Sequence, residues 1–317
     1  MPTLHDIREA RSRIEGRVHR TPVLGASTLA ERASVARLEL KCESFQKTGS
    51  FKVRGVLNKL SQLDPAARSR GVVTVSAGNH AQALAWGSRA AGIRCTVVMP
   101  AAASRSKVEA SRGYGAEVIQ HGTNMEAFTK ASELASERGL VFVHPFDDEQ
   151  VIAGAGTVAL ELLEQTDPPD VVVVPVGGGG LISGIAIAMK EMHPSTRVFG
   201  VEPQGAAAMR RSLDAGRAVR LDSVSTLADG LGAPMAGDIT FPIVRRYVDD
   251  VVLVSDEEIA GAMRFLLERA KLLAEGAGAA ATAALLSGRL AVRPTDRVVA
   301  IVSGGNVDLE RLQQVIS

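Results

Sequence analysis

Residues 46–55 read QKTGSFKVRG, and this stretch indicates both the fold and a reactive lysine. Residues 48–50, Thr-Gly-Ser, predict a short polar turn that caps a helix. Apolar side chains recur at helical spacing from Phe51 onward, so Lys52 falls in the first helical turn. Unpaired backbone N–H groups there lower the pKa of an ammonium group, and a lysine of lowered pKa can form a Schiff base with an aldehyde. On this stretch alone, a solvated basic helix face is an equally good interpretation.

Composition limits the class of protein and its partners. A chain of 317 residues favours about two domains. Hydrophobic residues make up 46% and charged residues 22%, which is typical of a globular protein and not of a disordered one. With 36 basic and 35 acidic residues the net charge is +1, so neither a nucleic acid nor an anionic membrane is expected as a partner. Two cysteines, Cys42 and Cys95, are too few for a disulfide framework or a cysteine-based zinc site.

The N-terminal sequence and the hydropathy indicate the compartment. The first residues, MPTLHDIR, contain no apolar signal region, and no run of about 18 uncharged apolar residues follows that could span a membrane. We therefore expect a cytoplasmic protein.

Helices and strands are predicted to alternate along the chain. An amphipathic helix opens it and ends near Gly16, and a helix after residue 254 begins with a capping box of Ser255 and Glu258. Most of the expected strands are valine-rich runs without alternation, as in parallel strands that are buried on both faces. This order predicts an α/β fold with largely parallel sheet. The predicted strands are residues 37–42, 72–75, 95–99, 116–120, 141–143, 171–174, 198–201, 251–254 and 298–302.

A second constellation follows the strand at residues 72–75, where the sequence continues SAGNHAQ. It predicts a tight polar turn at the start of a helix. Backbone N–H groups there, with the Ser76 hydroxyl and the Asn79 amide, can bind a carboxylate or a phenolic oxygen. The alternative is an ordinary helix start with a buried His80, which a lone Gly-Asn-His sequence would favour.

Two glycine-containing turns follow other valine-rich strands. After residues 171–174 the sequence PVGGGGL contains four glycines, whose N–H groups can surround phosphate oxygens because no Cβ obstructs them. This stretch matches neither the dinucleotide fingerprint nor the Walker pattern. A tight turn without a ligand is disfavoured, because four glycines cost chain entropy. Ser303, followed by Gly304 and Gly305, lies at the carboxyl end of the last strand, where open α/β sheets bind ligands.

Taken together, these segments resemble one family, the fold type II pyridoxal-phosphate enzymes, and in particular its threonine/serine dehydratase and serine racemase group. The resemblance covers nearly the whole chain. Cysteine synthases and tryptophan synthase β chains share the fold, but their lysine and asparagine motifs differ. The resemblance implies two open, mainly parallel twisted sheets flanked by helices. Its motifs are residues 41–55, 76–82, 177–181, 152–154, 228–230, 275–278 and 303–306.

The family resemblance also implies the roles of the site residues. Lys52 would carry pyridoxal 5'-phosphate covalently, Asn79 would bind the ring hydroxyl, and Ser303 would face the pyridine nitrogen. A neutral hydroxyl makes the ring a weaker electron sink than a carboxylate would, which favours prompt loss of a β-leaving group. The other cofactor-binding candidates are Phe51, Gly177, Gly178, Gly179, Gly180 and Leu181.

The same resemblance implies a reaction. The substrate amine would displace Lys52, the freed lysine amine would remove the α-proton, and the β-hydroxyl would leave with a proton from the cofactor phosphate. The products would be a 2-oxo acid and ammonia. Ser76 is the second candidate catalytic residue. The substrate carboxylate would contact Ser76, Ala77, Gly78, Asn79 and His80.

Departures from the family narrow the expectation. Family racemases carry a serine acid/base at the position of Ala77, so dehydration is favoured over racemisation. Racemases also have two carboxylates in a divalent-metal site; Glu202 matches one, but Ala208 replaces the other, and no metal is assigned. The chain ends at Ser317 without the regulatory domain of biosynthetic threonine dehydratases, which favours a catabolic role.

The leading prediction is therefore a dehydratase for a small β-hydroxy amino acid such as L-threonine or L-serine. Alternatives are 3-hydroxyaspartate, phenylserine or an intermediate of osmolyte breakdown as substrate, a serine racemase, or a non-catalytic nucleotide-binding module, which would have no use for Lys52. Residues 124–127 and 231–234 are candidates for lining the substrate pocket. We expect a large cofactor-binding domain of residues 1–65 and 148–317, a small mobile domain of residues 66–147, and a homodimer.

Overall fold

The computed structural model describes residues 1–316, which form a six-stranded and a four-stranded sheet flanked by helices. This arrangement confirms the predicted α/β fold class. The strands are β1 (Val23–Gly25), β2 (Arg37–Cys42), β3 (Val72–Val75), β4 (Cys95–Met99), β5 (Glu117–Gln120), β6 (Val141–Phe142), β7 (Val171–Pro175), β8 (Arg197–Pro203), β9 (Asp250–Val254) and β10 (Arg297–Val302). The α-helices are α1 (Leu4–Ile14), α2 (Ser27–Ala33), α3 (Lys52–Ser61), α4 (Pro65–Arg70), α5 (Asn79–Ala90), α6 (Arg105–Gly113), α7 (Asn124–Arg138), α8 (Glu149–Gln165), α9 (Gly180–Met192), α10 (Ala208–Ala215), α11 (Thr240–Tyr247), α12 (Asp256–Phe265), α13 (Gly276–Leu286) and α14 (Leu309–Ile316).

The larger sheet has the order β1-β2-β10-β7-β8-β9. Its strands run parallel except β1, which pairs antiparallel with β2. Successive valines of β7 enter different cores: Val171 and Val173 pack among residues of α2, α12 and α13, whereas Val172 and Val174 pack among residues of α1, α8 and α9. A strand covered by helices on both faces needs apolar residues at every position, which explains the uninterrupted valine run.

The smaller sheet has the order β5-β4-β3-β6, and its strands are all parallel. Val72 and Val97 lie in one core and Val73 and Val98 in the other, so this sheet is also covered on both faces. Its strands fall inside residues 66–147, the segment predicted as a mobile domain. That division of the chain stays a prediction.

A buried charge cluster of Lys41, Glu43, Arg54 and Glu161 joins β2, α3 and α8. The Arg54 guanidinium donates to Glu43 at 2.8 Å and to Glu161 at 3.1 Å, and Lys41 Nζ donates to Glu161 at 2.6 Å. Two cations thus balance two anions away from water, which is the condition under which buried charges are tolerated. Arg54 is two residues from Lys52, so the cluster fixes the first turn of α3.

Two local expectations differ from the structure. Residues 48–50 do not cap α3; its N-cap position is Phe51, and Ser50 instead forms a β-bridge with Gly304. Gly304, the bridge partner of Ser50, is distant in the sequence, so the local pattern around residues 48–50 could not indicate this pairing. Strand β1 was not expected, because its three residues have no pattern by which a strand is recognised.

No helix within residues 1–316 is long and apolar enough to cross a membrane.

Candidate active site

The lysine stretch and the Ser303 turn lie side by side. Phe51 donates its N–H to the Ser303 carbonyl at 3.1 Å, and Gly305 donates to the Gly49 carbonyl at 2.9 Å. Lys52, the first residue of α3, is therefore placed at the carboxyl end of β10. This is the edge of a parallel sheet at which ligands bind.

The Lys52 side chain points toward a segment that links the two sheets. Its Nζ donates to the Pro145 carbonyl at 2.7 Å and lies 5.0 Å from the centre of the Phe51 ring. Burial lowers the pKa of Lys52 to about 8, and the nearby Glu275 carboxylate opposes this shift. The lowered pKa agrees with the expectation, but its main cause is removal from water and not the start of a helix.

The glycine loop, residues 177–180, connects β7 to α9. Gly179 has a φ of +93°, a left-handed conformation that favours glycine. A Cβ at Gly178 would lie 2.3 Å from the Phe146 ring, and one at Gly180 would lie 2.9 Å from the Phe146 carbonyl. The first hydrogen bond of α9 runs from Ser183 N to Gly179 O, so the N–H groups of residues 180–182 have no carbonyl of their own helix to bind. The loop can therefore receive a phosphate group.

A short segment, residues 145–147, brings the lysine and the glycine loop together. Pro145 accepts from Lys52, and the next residue, Phe146, packs against Gly178 and Gly180. We call residues 145–147 the covering segment.

The Asn79 amide has its orientation fixed by two neighbours. Its Oδ1 accepts from Asn306 Nδ2 at 2.8 Å, and its Nδ2 donates to Glu275 Oε1. One hydrogen of Nδ2 stays available for a phenolic oxygen. A Cβ at Gly304 would lie 3.2 Å from Asn79 Nδ2, so the asparagine lies against the turn that begins with Ser303.

Glu275 is the acidic group of the site. It is buried, and burial raises its pKa to about 7, although the hydrogen bond from Asn79 opposes the shift. Glu275 is the N-cap residue of α13, directly before Gly276. It belongs to the 275–278 motif, but no role was predicted for its carboxylate. Asn306, which completes this contact, lies in the 303–306 motif, but no role was predicted for it either.

Ser303 is buried between β10 and α13. Its Oγ lies 3.3 Å from the Ala277 carbonyl, to which it donates. A Cβ at Gly278 would lie only 2.1 Å from the Gly304 carbonyl, so the glycines of α13 allow the helix to approach this turn. The hydroxyl can instead donate to a ring nitrogen, because it rotates about the Cβ–Oγ bond.

The turn before α5 contains the candidate carboxylate site. Gly78 donates its N–H to Ser76 Oγ at 3.1 Å, and the first hydrogen bond of α5 runs from Gln82 N to Gly78 O. The N–H groups of residues 79–81 therefore precede the helical hydrogen bonds and can bind an anion. Ala77 lies in the same turn and lines a cavity of about 660 Å³.

His80 belongs to this turn through its backbone only. Its ring is buried, its Nε2 donates to the Val143 carbonyl at 3.2 Å, and burial lowers its pKa to about 3. The imidazole is therefore neutral. The His80 side chain is therefore the buried histidine of the alternative interpretation. Only the backbone N–H of His80 can bind a substrate carboxylate.

The cavity is lined by part of one of the two predicted pocket segments, but neither Lys52 nor the glycine loop is among its lining residues in the described chain. Asn124, from the segment 124–127, lines it together with Lys107, Asp229 and Glu275. Residues 231–234 are not among its lining residues in the described chain. Leu231 packs against the glycine loop instead, since its Cα would lie 3.1 Å from a Cβ at Gly177.

Glu202 has a structural partner in the described chain. Its carboxylate accepts the N–H groups of Met209 and Arg210, both at 2.8 Å, at the start of α10. Burial raises the pKa of Glu202 to about 8. Within residues 1–316, no group of three or more His, Cys, Asp or Glu residues is arranged to hold a metal ion.

The arrangement fits pyridoxal phosphate. A buried amine can bind its aldehyde, the glycine loop its phosphate, the Asn79 amide its ring oxygen and the Ser303 hydroxyl its ring nitrogen. The four segments that carry these groups are distant in sequence and meet in one place.

Comparisons with known proteins agree with this geometry. The family model described as "Pyridoxal-phosphate dependent enzyme" matches residues 14–304. The chain is 47% identical over 318 residues to an L-threonine ammonia-lyase of Thermotoga maritima, covering 100% of this chain and 79% of that protein. It is 45% identical over 314 residues to the catabolic L-threonine dehydratase TdcB of Escherichia coli K12, covering 98% and 95% of the two chains.

Two solved structures superpose on nearly the whole chain. Maize serine racemase superposes with a TM-score of 0.94 at 41% identity, covering 99% of this chain and 97% of that one. A threonine deaminase from T.th. superposes with a TM-score of 0.91 at 42% identity, covering 97% and 99%.

Proposed function

The chain belongs to the family of pyridoxal-phosphate-dependent enzymes, and we propose that it is a dehydratase that converts L-threonine to a 2-oxo acid and ammonia. The observation that carries the proposal is the meeting of Lys52, the glycine loop, Asn79 and Ser303 at one sheet edge. The threonine specificity is supported by relatives 45–47% identical over nearly the whole chain, which are named threonine dehydratases or ammonia-lyases. L-serine, which lacks only the γ-methyl group of threonine, is proposed as a second substrate.

Lys52 is the proposed base. When bound, pyridoxal phosphate supplies the electron sink that stabilises negative charge on the substrate α-carbon. Because burial lowers the pKa of Lys52 to about 8, a useful fraction of its side chain is the neutral amine near neutral pH. That amine can take the α-proton at Nζ, and the Pro145 carbonyl holds Nζ in place.

The start of α5 is the proposed carboxylate site. The N–H groups of residues 79–81 and the Ser76 hydroxyl lie at the positive end of the helix dipole. A carboxylate bound there is fixed at one end, which orients the α-carbon relative to Lys52. Ser76 therefore acts as a substrate-binding residue in this proposal.

Serine racemisation is the second candidate, favoured by the TM-score of 0.94 to a serine racemase. Racemisation needs a proton donor and acceptor on each side of the α-carbon. Ala77 has no exchangeable proton at the position where family racemases carry serine, so we propose dehydration as the main reaction.

The cavity does not by itself select one β-hydroxy amino acid. Among the described residues its lining includes Ala77 and Glu275, but neither Lys52 nor the glycine loop, so its volume does not measure the space around the reacting atoms. We therefore keep 3-hydroxyaspartate, phenylserine and an osmolyte-derived intermediate as candidate substrates to be assayed beside threonine and serine.

A product assay tests the proposed function. Purified protein with added pyridoxal phosphate is offered each amino acid, and oxo acid and inverted amino acid are both measured. We expect oxo acid from L-threonine, lost in Lys52→Ala and kept in Lys130→Ala, a control that removes a surface lysine paired with Glu133. Inverted amino acid as the main product would establish the racemase instead, and turnover of another candidate alone would replace threonine as substrate.

We also propose that residues 66–147 move as a domain that closes over the substrate. Contacts across the cleft support this: Lys107 of α6 pairs with Asp229, and Ser106 donates to Asp308 at 2.7 Å. Closure would exclude water from the α-carbon. Equal separation of the two sheets in free crystals and in crystals with a substrate analogue would contradict it.

A homodimer in the cytoplasm completes the proposal. Phe45 and Leu273 are apolar side chains that are 52% and 41% exposed, and both belong to segments that meet at Gly305. Such exposed apolar groups suit an interface between two copies. Light scattering after size exclusion gives the mass in solution, and a monomer at micromolar concentration would contradict the dimer. Cell fractionation tests the compartment.

A further inference from the structure

The third residue of the covering segment, Asp147, holds the start of α11. Its carboxylate accepts the N–H groups of Asp238 and Ile239 at 3.0 Å and of Thr240 at 3.1 Å. A Cβ at Gly237 would lie 2.1 Å from Asp147 Oδ1, so this approach depends on a glycine. The position of Thr240 is thereby fixed relative to Phe146, which packs on the glycine loop.

The Thr240 side chain makes the next contact. Thr240 is fully buried, and its hydroxyl donates to the Gly178 carbonyl at 2.7 Å while it accepts from Gly237 N at 3.0 Å. A Cβ at Gly179 would lie 2.9 Å from the Thr240 Cβ. Thr240 therefore lies directly against the glycine loop and contacts it through one directed hydrogen bond.

This hydrogen bond determines the direction of a peptide N–H group. In a trans peptide the carbonyl of one residue and the N–H of the next point in opposite directions. Anchoring the Gly178 carbonyl on Thr240 thus turns the N–H of Gly179 away from Thr240. A loop of four glycines has no side chains that would hold this peptide plane by themselves, because glycine allows a wide range of backbone angles.

We propose that Thr240, held by Asp147, is a positioning residue that fixes the peptide plane between Gly178 and Gly179 for binding the cofactor phosphate. The inference rests on the phosphate-binding role of the glycine loop in the proposed function and not on the identity of the substrate. Without the hydroxyl, the buried Gly178 carbonyl loses its partner and the loop samples other peptide orientations.

Two forms of the cofactor separate this role from a general effect on the fold. Pyridoxal 5'-phosphate and pyridoxal share the aldehyde, the ring oxygen and the ring nitrogen, but only the first has a phosphate. Their dissociation constants are measured by absorbance on apo-protein. We expect Thr240→Val to weaken pyridoxal 5'-phosphate about 10-fold or more and to leave pyridoxal within about 2-fold.

Matched variants complete the experiment. Thr240→Ser keeps the hydroxyl and should restore binding close to that of the natural protein. Thr282→Val is the control, since Thr282 is also fully buried but its hydroxyl has no hydrogen-bond partner among the described residues. Should Thr240→Val fail to fold, Thr240→Cys keeps the size with a weaker donor and should show the same preference for pyridoxal, to a smaller degree.

The outcomes are distinct. Equal weakening of both ligands, or unchanged binding of pyridoxal 5'-phosphate, overturns the inference. The phosphate-selective loss supports it even if no oxo acid forms from any amino acid, a result that would contradict only the proposed reaction.

Discussion

The buried Glu275 carboxylate accepts a hydrogen bond from the Asn79 amide, and both groups lie against Gly304. This contact joins the helix that begins with Asn79 to the turn that contains Ser303. It also places an acid whose pKa is about 7 in the electrostatic field of a lysine whose pKa is about 8. Small changes of pH near neutrality therefore alter the charge of the site.

The first prediction concerns stability and pH in Glu275→Gln. The pKa of Glu275 rises from 4.5 to about 7 on folding, so the folded state binds this proton more tightly and loses stability as pH increases through that interval. Glutamine has no such proton. We expect the free energy of unfolding of the variant, relative to the natural protein, to increase by about 1–3 kcal/mol between pH 5 and pH 8. Urea denaturation at both values checks it, and a constant difference would contradict it.

The second prediction concerns cofactor uptake. Only the neutral amine of Lys52 reacts with the aldehyde, and its pKa is lowered to about 8. The rate constant for binding pyridoxal phosphate to apo-protein should increase about 10-fold per pH unit below pH 8 and become constant above it. Stopped-flow absorbance measures this rate. A rate that continues to rise toward pH 10 would show an ordinary lysine.

The third prediction concerns the buried charge cluster. Arg54→Met removes the cation that contacts both Glu43 and Glu161 and leaves buried carboxylate charge uncompensated. We expect a loss of about 3–5 kcal/mol in the free energy of unfolding. Arg105→Met is the matched control, because Arg105 pairs with Glu109 on the exposed surface of α6, and no measurable change is expected there. A similar loss of unfolding free energy in both variants would contradict the stabilising role of Arg54 in the buried charge cluster.

The fourth prediction concerns the choice between dehydration and racemisation. Ala77→Ser introduces a hydroxyl in the turn that binds the proposed carboxylate. Inverted serine should become detectable by chiral chromatography, while Ala102→Ser, which adds a hydroxyl elsewhere in the same cavity, should produce none. Equal amounts of inverted serine from the two variants would contradict the proposal that Ala77 makes dehydration the main reaction.

The fifth prediction concerns the covering segment. Gly178→Ala places a Cβ 2.3 Å from the Phe146 ring, and we expect cofactor binding to weaken at least about 10-fold because the loop or the ring must shift. Adding Phe146→Ala should recover part of the loss. Gly261→Ala is the control, since among the described residues no atom outside the adjoining part of its own helix lies within 4 Å of the added Cβ. A lack of recovery in the double variant would show that the loop is disturbed for another reason.

Local patterns predicted much of the fold. The uninterrupted apolar runs of β7 and β10 were expected to be buried on both faces, and they are. The capping box of Ser255 and Glu258 is present at the start of α12. These features depend on neighbours along the chain, so the sequence displays them directly.

Contacts between distant segments could not be predicted in this way. Ser50 pairs with Gly304 and does not cap α3. Thr240, at the start of α11, donates its hydroxyl to the Gly178 carbonyl of the glycine loop, which is distant in sequence. Glu275 belongs to one of the motifs, but the role of its carboxylate becomes visible only when Asn79 lies beside it. Four motifs predicted residues that the structure brings together in the candidate site, but the groups that orient them come from tertiary contacts that leave no periodic pattern.

The position of β10 has a consequence for the order of folding. Strand β10 lies between β2 and β7, and the Ser303 carbonyl after it receives the N–H of Phe51. During synthesis, the lysine stretch emerges early but lacks its sheet neighbour until residues 297–302 have been made. Long-range parallel pairing of this kind forms slowly, so a nascent chain that ends before β10 should not bind pyridoxal phosphate. The ribosome must therefore have synthesised the chain as far as residue 302 before Lys52 can take its place in the candidate site.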